Sequence, residues 1–423
     1  MSNLNQSHLN QGHSHFSSGD AIPLSFFDQE KHANILRSDE EAIEAAKLLA
    51  VEFAKEASLR DQERRLPLEQ IQQYSQSGLW AINVPKEYGG LQAKYRTLAE
   101  VVKTISSVDP SLGQIAQNHW VFVEHIRLDA SPSQKNFFFD LLLKGIRFGN
   151  AFSEKGSKNV ADLKTTITKT EQGYELNGQK FFATGALLAH WIPTVAVDDA
   201  GLVYAGLVPR DTEGLTIIND WSGFGQRTTA SGTVQLNHVA VREEYIVPIY
   251  KAFERSTPAG AISQFIQAAV DAGIARGAIQ ETIDYLKNHA RPWIDSGIEK
   301  ATDDPYTIAS IGELKIKLRA AKAVLDLAGD AIDEAIANTT EEQVAQATLL
   351  VAEAKVLTTE IAILASNKLF ELSGARSTLQ ELNLDRHWRN ARTHTLHDPV
   401  RWKFNIVGNY YLNGVLPPRH PWS

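Results

Sequence analysis

Cysteine is absent and methionine occurs once, as Met1, in a chain of 423 residues. Without thiols there can be no disulfide, no thiolate metal site and no cysteine nucleophile. Methionine is a ready filler of helical cores, so a chain that avoids it along its whole length invites an explanation. Drift, or avoidance of oxidation-prone side chains, is one reading. Thermophilic trimming of sulfur is disfavoured by the many Asn and Gln that remain. Economy of sulfur in a protein made when sulfur is scarce accounts best for both absences.

A basic excess is also lacking. Lys and Arg number 42 against 50 Asp and Glu, a net charge of −8, which offers nucleic acid or an anionic membrane no attracting field. No apolar run is long enough to span a bilayer. The N-terminal stretch lacks the basic and apolar regions of a secretory signal, and the chain reads as soluble and cytoplasmic. No G-x-G-x-x-G follows a strand, since Gly223-Phe-Gly225 is too short a match, and no Walker loop is found. Neither a dinucleotide-binding Rossmann unit nor a nucleotide triphosphatase is indicated. His8, His13 and His15 lie in a polar tail without a carboxylate pattern, so no metal site is read.

What is present divides into four regions. Residues 1–32 are rich in Ser, Asn, Gln, His and Gly and read as a flexible arm. Residues 33–148 carry helical signals. Ser38 with Glu41 forms a capping box, and Ile43, Ala46, Ala50 and Phe53 follow at helical spacing. Gly and Pro interrupt the pattern at Pro67, Pro85 to Gly90 and Pro110 to Gly113. Residues 149–261 alternate in the manner of strands, at 165–169, 174–176, 191–197, 202–208, 233–236 and 239–241. From residue 262 to 423 the helical period returns. One face carries Phe265, Ala268, Ala269, Ala272 and Ala275; a second helix covers about 308–337; a third opens at Thr340 with Gln343 and stops at Gly374. The order is helices, a β domain, then a helix bundle, an α+β arrangement with no internal repeat.

Near the C-terminus the run Arg392-Thr-His394-Thr-Leu-His397-Asp398-Pro399 concentrates ionisable groups. The two histidines are three apart, a spacing that lets them share a helical face. Histidine is the usual proton-transfer group near neutral pH, and the nearby Arg392 and Asp398 favour a site over a lone core histidine.

Several segments, in order, resemble the acyl-CoA dehydrogenase superfamily. Pro85-Lys-Glu-Tyr-Gly-Gly90 looks like its early P-x-x-Y-G-G turn. Phe152-Ser-Glu154 looks like its first flavin-facing segment, and Gly178-Gln-Lys-Phe-Phe-Ala-Thr184-Gly185 like its G-x-K-x-W-I-T-N strand. Glu371-Leu-Ser-Gly374 resembles its Q-x-x-G-G turn, with Ala375 in place of the second Gly. The resemblance implies an N-terminal helical domain, a middle β-barrel or sandwich domain and a C-terminal four-helix bundle. It also implies a bound flavin. Thr184 would bond near flavin N5, Asn150 and Ser153 would meet the pyrimidine edge or ribityl chain, and Phe182 would pack on the rings. Arg291 and Arg376 would neutralise phosphate, Arg291 from a neighbouring subunit. A homotetramer or homodimer is expected.

Where the dehydrogenases often carry a glutamate base in a Tyr-Glu-Gly-Thr turn, this chain has His397-Asp398-Pro399-Val400. That run, with Arg291-Pro-Trp293 and Asp304-Pro-Tyr306, is similar to the dibenzothiophene monooxygenases. Phe181 to Ile192 and Gly225 to Gly232 look like the SfnB-type sulfur-acquisition oxidoreductases. The resemblance implies a two-component monooxygenase that takes reduced FMN from a separate NAD(P)H-dependent flavin reductase, uses oxygen and acts on a small organosulfur compound such as an alkyl sulfone. His394, His397 and Asp398 would be catalytic, and His119 would close the other side of the site. Two rivals are an acyl-CoA dehydrogenase holding FAD, with Asp398 as base, and a non-catalytic relative.

Overall fold

A computed structural model of the chain describes residues 22–27 and 33–422. Most of the 1–32 arm, with His8, His13 and His15, lies outside the described residues. The first helices are α1 (Asp39–Ala54), α2 (Ala57–Glu63), α3 (Leu68–Gln76), α4 (Tyr95–Ser106), α5 (Pro110–Asp129) and α6 (Pro132–Leu143). Ser38 caps α1 by accepting the Glu41 N–H, while the Glu41 carboxylate takes the Arg37 N–H rather than that of Ser38. Asp109 caps α5 and is paired at 2.8 Å with Arg60, both buried.

The middle region is one seven-stranded sheet: β1 (Thr166–Thr170), β2 (Gly173–Lys180), β3 (Trp191–Val197), β4 (Val203–Pro209), β5 (Leu215–Ile218), β6 (Thr233–Val241) and β7 (Ile246–Val247). Their spatial order is β5-β6-β2-β1-β3-β4-β7. All pairs are antiparallel except β1 with β3. The runs at 233–236 and 239–241 are one strand. Their alternation breaks because the β2–β6 register shifts between Leu176 and Gly178, with His238 at φ +51°, as a β-bulge does. β5 and β7 are too short to show a period.

Then follow α7 (Lys251–Glu254), α8 (Ala259–Asn288), α9 (Pro305–Ala337), α10 (Glu341–Ser373), α11 (Asp385–His394) and α12 (Arg401–Asn413). The bundle expected in this region is three helices of 30, 33 and 33 residues with two shorter ones beside them. α8 runs through the middle, packed on α4, α5, α9, α10 and α11, so its buried positions surround the axis rather than forming a stripe. Small residues permit this. A side chain at Gly277 would lie 2.2 Å from the Ser107 carbonyl, and one at Gly273 2.5 Å from the Ser106 Cβ.

Gly277→Ala therefore separates α8 from the end of α4 and is expected to cost about 1–3 kcal/mol. Gly312→Ala in α9 meets nothing within 4 Å and is expected to add about 0.5–1 kcal/mol from helix propensity. Urea unfolding of the two variants should move in opposite directions.

Candidate active site

The site begins with a clamp between domains. Arg389 on α11 binds the Asp61 carboxylate through both guanidinium nitrogens, at 3.2 and 2.6 Å. Asn383 donates to the same carboxylate, and Arg389 also donates to the Phe224 carbonyl at 3.1 Å. One residue on, the Asn390 side-chain oxygen accepts the Gln226 N–H at 2.6 Å. Loop 223–231 is thus fastened to α11. At Gly225 the approach is so close that a Cβ would lie 2.0 Å from the Arg389 carbonyl and 2.6 Å from Thr393 Oγ1.

Five residues further along α11, His394 is buried. Its Nδ1 lies 2.5 Å from Asp271 Oδ1 on α8, and its Nε2 2.9 Å from Gln114 Oε1 on α5. The other oxygen of Asp271 receives Lys355 Nζ at 2.8 Å and the Thr359 hydroxyl at 3.2 Å, both from α10. Burial raises the Asp271 pKa, but Lys355 and His394 outweigh it and hold the carboxyl at about 2. Burial pushes His394 down, and the charges of Lys355 and His397 add to that, against the pull of Asp271.

His397 does not share a helical face with His394, because α11 ends at His394. Its N–H bonds the His394 carbonyl at 3.0 Å in the following turn. Pro399 disfavours helical backbone at the residue before it. The His397 side chain is 39% exposed, and its Nδ1 lies 3.2 Å from Asp398 Oδ2. Gln267 Nε2 approaches the same nitrogen at 3.0 Å, and Gln264 donates to Asp398 Oδ2 at 2.9 Å. Burial raises the Asp398 pKa, but the hydrogen bonds from His397 and Gln264 and the charge of Lys355 hold it well below the ordinary carboxylate range.

On the β side, Thr184 Oγ1 is 2.7 Å from Ser231 Oγ, which is 2.7 Å from Thr229 Oγ1. Ser231 and Thr229 belong to the loop that α11 holds, and they tie Thr184 to it. Gly185, next to Thr184, packs on Ile115 of α5, where a Cβ would be 3.1 Å from it. Asn150 donates to the Phe182 carbonyl, and the Phe181 N–H bonds the Ser153 carbonyl. Phe182 adopts φ +54°, is half exposed and sits 5.9 Å from the Trp221 ring. Polar atoms without partners lie on this seam: both side-chain polar atoms of Gln226, in the loop, and Thr393 Oγ1, beside Gly225. Buried amides and hydroxyls rarely go unpaired, so this set fits a ligand with a polar edge, such as the flavin ring system.

His119 lies elsewhere. It is fully buried on α5, with Nε2–H donating to the Trp80 carbonyl at 2.7 Å and Nδ1 accepting the Phe148 N–H at 3.0 Å. Burial pushes it down to about 3, so it is a neutral ring with both nitrogens committed to main chain. Gln114, five residues earlier on that helix, is the side chain that meets His394. Arg291 and Arg376 are exposed on the loops after α8 and α10. Neither is bonded to the Thr184 cluster among the described residues. Gln114, Gln264, Gln267, Asp271 and Lys355 were not singled out from the sequence. The signal for the three on α8 is there: Gln264, Gln267 and Asp271 are spaced i, i+3, i+7 in the mostly apolar first half of that helix, a polar stripe that a buried segment has no solvent to face.

Three models of acyl-CoA dehydrogenase domains match the chain: the N-terminal domain at 39–145, the middle domain at 150–239 and the C-terminal domain at 265–402. A dibenzothiophene monooxygenase from Mycolicibacterium goodii is 36% identical over 89% of this chain and 94% of its own. A probable FMNH2-dependent monooxygenase, SfnC, from Pseudomonas putida is 30% identical over 89% of this chain and 96% of its own. Among solved structures, FMN-bound TdsC from Paenibacillus sp. A11-2 superposes with a TM-score of 0.86 at 34% identity, covering 90% of this chain and all of that one. The methanesulfinate monooxygenase MsuC from Pseudomonas fluorescens gives 0.84 at 31%, covering 90% and 99%.

Asp61→Ala leaves the buried Arg389 with the half-exposed Asp385 as its remaining carboxylate partner and is expected to cost about 1–3 kcal/mol. It should also free loop 223–231. Hydrogen exchange at the Gln226 amide should accelerate more than at amides of the distant β3–β4 pair; equal acceleration would show that Asp61 stabilises the fold without holding this loop.

Proposed function

The chain belongs to the acyl-CoA dehydrogenase family, and within it we propose a flavin-dependent monooxygenase that acts on a small organosulfur compound, such as an alkyl sulfone, with reduced FMN delivered by a separate NAD(P)H:flavin reductase. The observation that carries this reading is the end of α11 with the turn that follows it. It offers two histidines in different surroundings and an aspartate already engaged by two side chains. A carboxylate held so firmly ionised is a weak base, which counts against Asp398 as the α-proton acceptor of a dehydrogenase.

Thr184, Ser231 and Gln226 would hold the flavin's polar edge, Asn150 and Ser153 its neighbouring atoms, and Phe182 with Trp221 would supply flat aromatic faces. Bound reduced flavin supplies the two electrons with which oxygen is split between the substrate and water. The protein's own groups do the rest. His394 offers a fixed ring beside Gln114, buried from water. His397, open to solvent on one side, moves protons at its ring nitrogens, and Asp398 orients it. The small organosulfur substrate is supported by the likeness to MsuC, and FMNH2 by the likeness to SfnC.

The loop after α8 exposes Trp293 at 73%, and α9 begins with Tyr306 at 83%. Such rings favour cover by another copy of the chain, and Arg291 on the same loop would then face that copy's site, in a homodimer or homotetramer. No helix among the described residues is long and apolar enough to cross a membrane, and a cytoplasmic location is part of the reading.

Supplied with reduced FMN by a reductase in air, the protein should convert an alkyl sulfone, sulfonate or sulfinate to an oxygenated product, with sulfite release where the carbon–sulfur bond breaks. No substrate-dependent product under steady FMNH2 supply would sink the proposal. Purification as a yellow protein reduced by an acyl-CoA would instead favour the FAD dehydrogenase. His397→Ala should lower turnover by about 100-fold or more, measured against reduced FMN consumed.

A further inference from the structure

The Asp271–Lys355 pair is assigned no part in the reaction above, yet it is the most deeply buried ion pair touching the site. Both side chains have no exposure. They come from the middles of α8 and α10, the pair of helices in fullest contact. An ion pair sealed from water is seldom the most stable way to fill a core, so its placement against His394 calls for an explanation.

The explanation lies in counting charge. Asp271 presents Oδ1 to His394, while Oδ2 takes Lys355 and Thr359. Lys355 and Asp271 together carry no net charge. A second proton on His394 would leave an unbalanced positive charge in a dry space, which is unfavourable. Without Lys355, the same proton would complete an imidazolium–carboxylate pair and be welcome. The other groups facing His394 do not alter this. Gln114 on α5 is neutral, and His397 in the next turn adds only positive charge, which opposes a second proton on His394. Asp398 in the next turn is engaged by His397 and Gln264, and Lys403 on α12 lies toward Asp398.

We propose that Lys355 is a positioning residue that keeps His394 uncharged: it occupies the charge of Asp271, which then serves only to hold the proton on Nδ1 and leave the Nε2 lone pair facing Gln114. In the structure Gln114 Oε1 is the end toward Nε2; the two ends of a side-chain amide have nearly the same shape, and in the proposed state the amide is turned so that its NH2 donates to Nε2. His394 is then a constant hydrogen-bond acceptor through the working pH range, and proton exchange with solvent falls to His397. The proposal rests on the monooxygenase reading for its meaning in catalysis, but the charge state of His394 is testable without turnover.

Lys355→Met, His394→Gln and the double variant are compared with the unsubstituted full chain by equilibrium urea unfolding from about pH 5.5 to about 8.5, the range in which histidine titrates. In Lys355→Met the folded-state pKa of His394 rises above its unfolded value. The stability this contributes is fully present below the unfolded pKa and is lost as pH rises through the folded one. The unfolding constant of Lys355→Met relative to the unsubstituted protein should therefore grow by up to about tenfold per pH unit toward higher pH. Adding His394→Gln should abolish that slope. Lys355→Gln, which retains a donor to Asp271, gives the same slope if the Met variant does not fold, and Lys355→Arg gives none. A stability loss equal at every pH, or a slope that survives His394→Gln, overturns the proposal. In turnover, Lys355→Met should yield less product per reduced FMN oxidised at neutral pH and recover as pH rises. A flat profile in an otherwise active enzyme also overturns it. Absence of turnover in the unsubstituted protein counts against the monooxygenase reading alone, and the unfolding slope still decides the role of Lys355.

Discussion

The carboxylate of Asp271 has no exposure, and four other groups are arranged by it. It stands midway along a helix that the other long helices enclose, so nothing but protein is available to satisfy it. Lys355 and Thr359 fix α10 against α8 through one oxygen, and His394 fixes α11 through the other. Gln114 ties in α5 through the His394 ring. An isolated buried charge is strongly unfavourable, so these partners must stay in place for the core to remain closed. The helical scaffold and the candidate chemistry thus share one requirement. The bundle cannot relax around His394 without exposing or orphaning Asp271.

A second constraint brings the β domain to that bundle. Arg389 and Asn390 occupy consecutive positions on α11. One faces Asp61 near the N-terminal helices, and the other faces the Gln226 main chain. The helix that ends at His394 is therefore the same helix that seats loop 223–231, and Thr184 is tied to that loop through Ser231. Gly225 makes this possible, because any side chain there would collide with the Arg389 carbonyl. Unpartnered polar atoms of Gln226 and Thr393 lie along the seam. A seam between domains is a usual place for a small-molecule site.

Much of the architecture was legible in the sequence because it is written in local signals. Caps at Ser38 and Thr340 and the stop at Gly374 mark helix ends that the structure keeps. The strands at 191–197 and 203–209 have clear runs, while β5 and β7 exist only by pairing with neighbours and leave almost no local trace. The same division holds at the site. His394, His397 and Asp398 stood out because they are adjacent in the chain. Gln114 and Asp271 reach His394 from two other helices, 280 and 123 residues away, and Lys355 from a third helix meets Asp271 across 84 residues, and no local pattern joins them. His119 misled for the complementary reason. It is a histidine in a promising segment, but helical geometry turns it toward Trp80 and Phe148, and the residue facing His394 is an unremarked glutamine.

The two histidines of the turn also differ in how each communicates with the surrounding water. The His397 side chain is 39% exposed, whereas His394 is enclosed by α5, α8 and α10. Exposed ring protons exchange at once with solvent, while enclosed ones wait for a local opening of the structure. A chain moved briefly into heavy water would carry deuterium on one ring and hydrogen on the other. The site thus holds two proton clocks three residues apart, one set by the solvent and one by the breathing of the bundle.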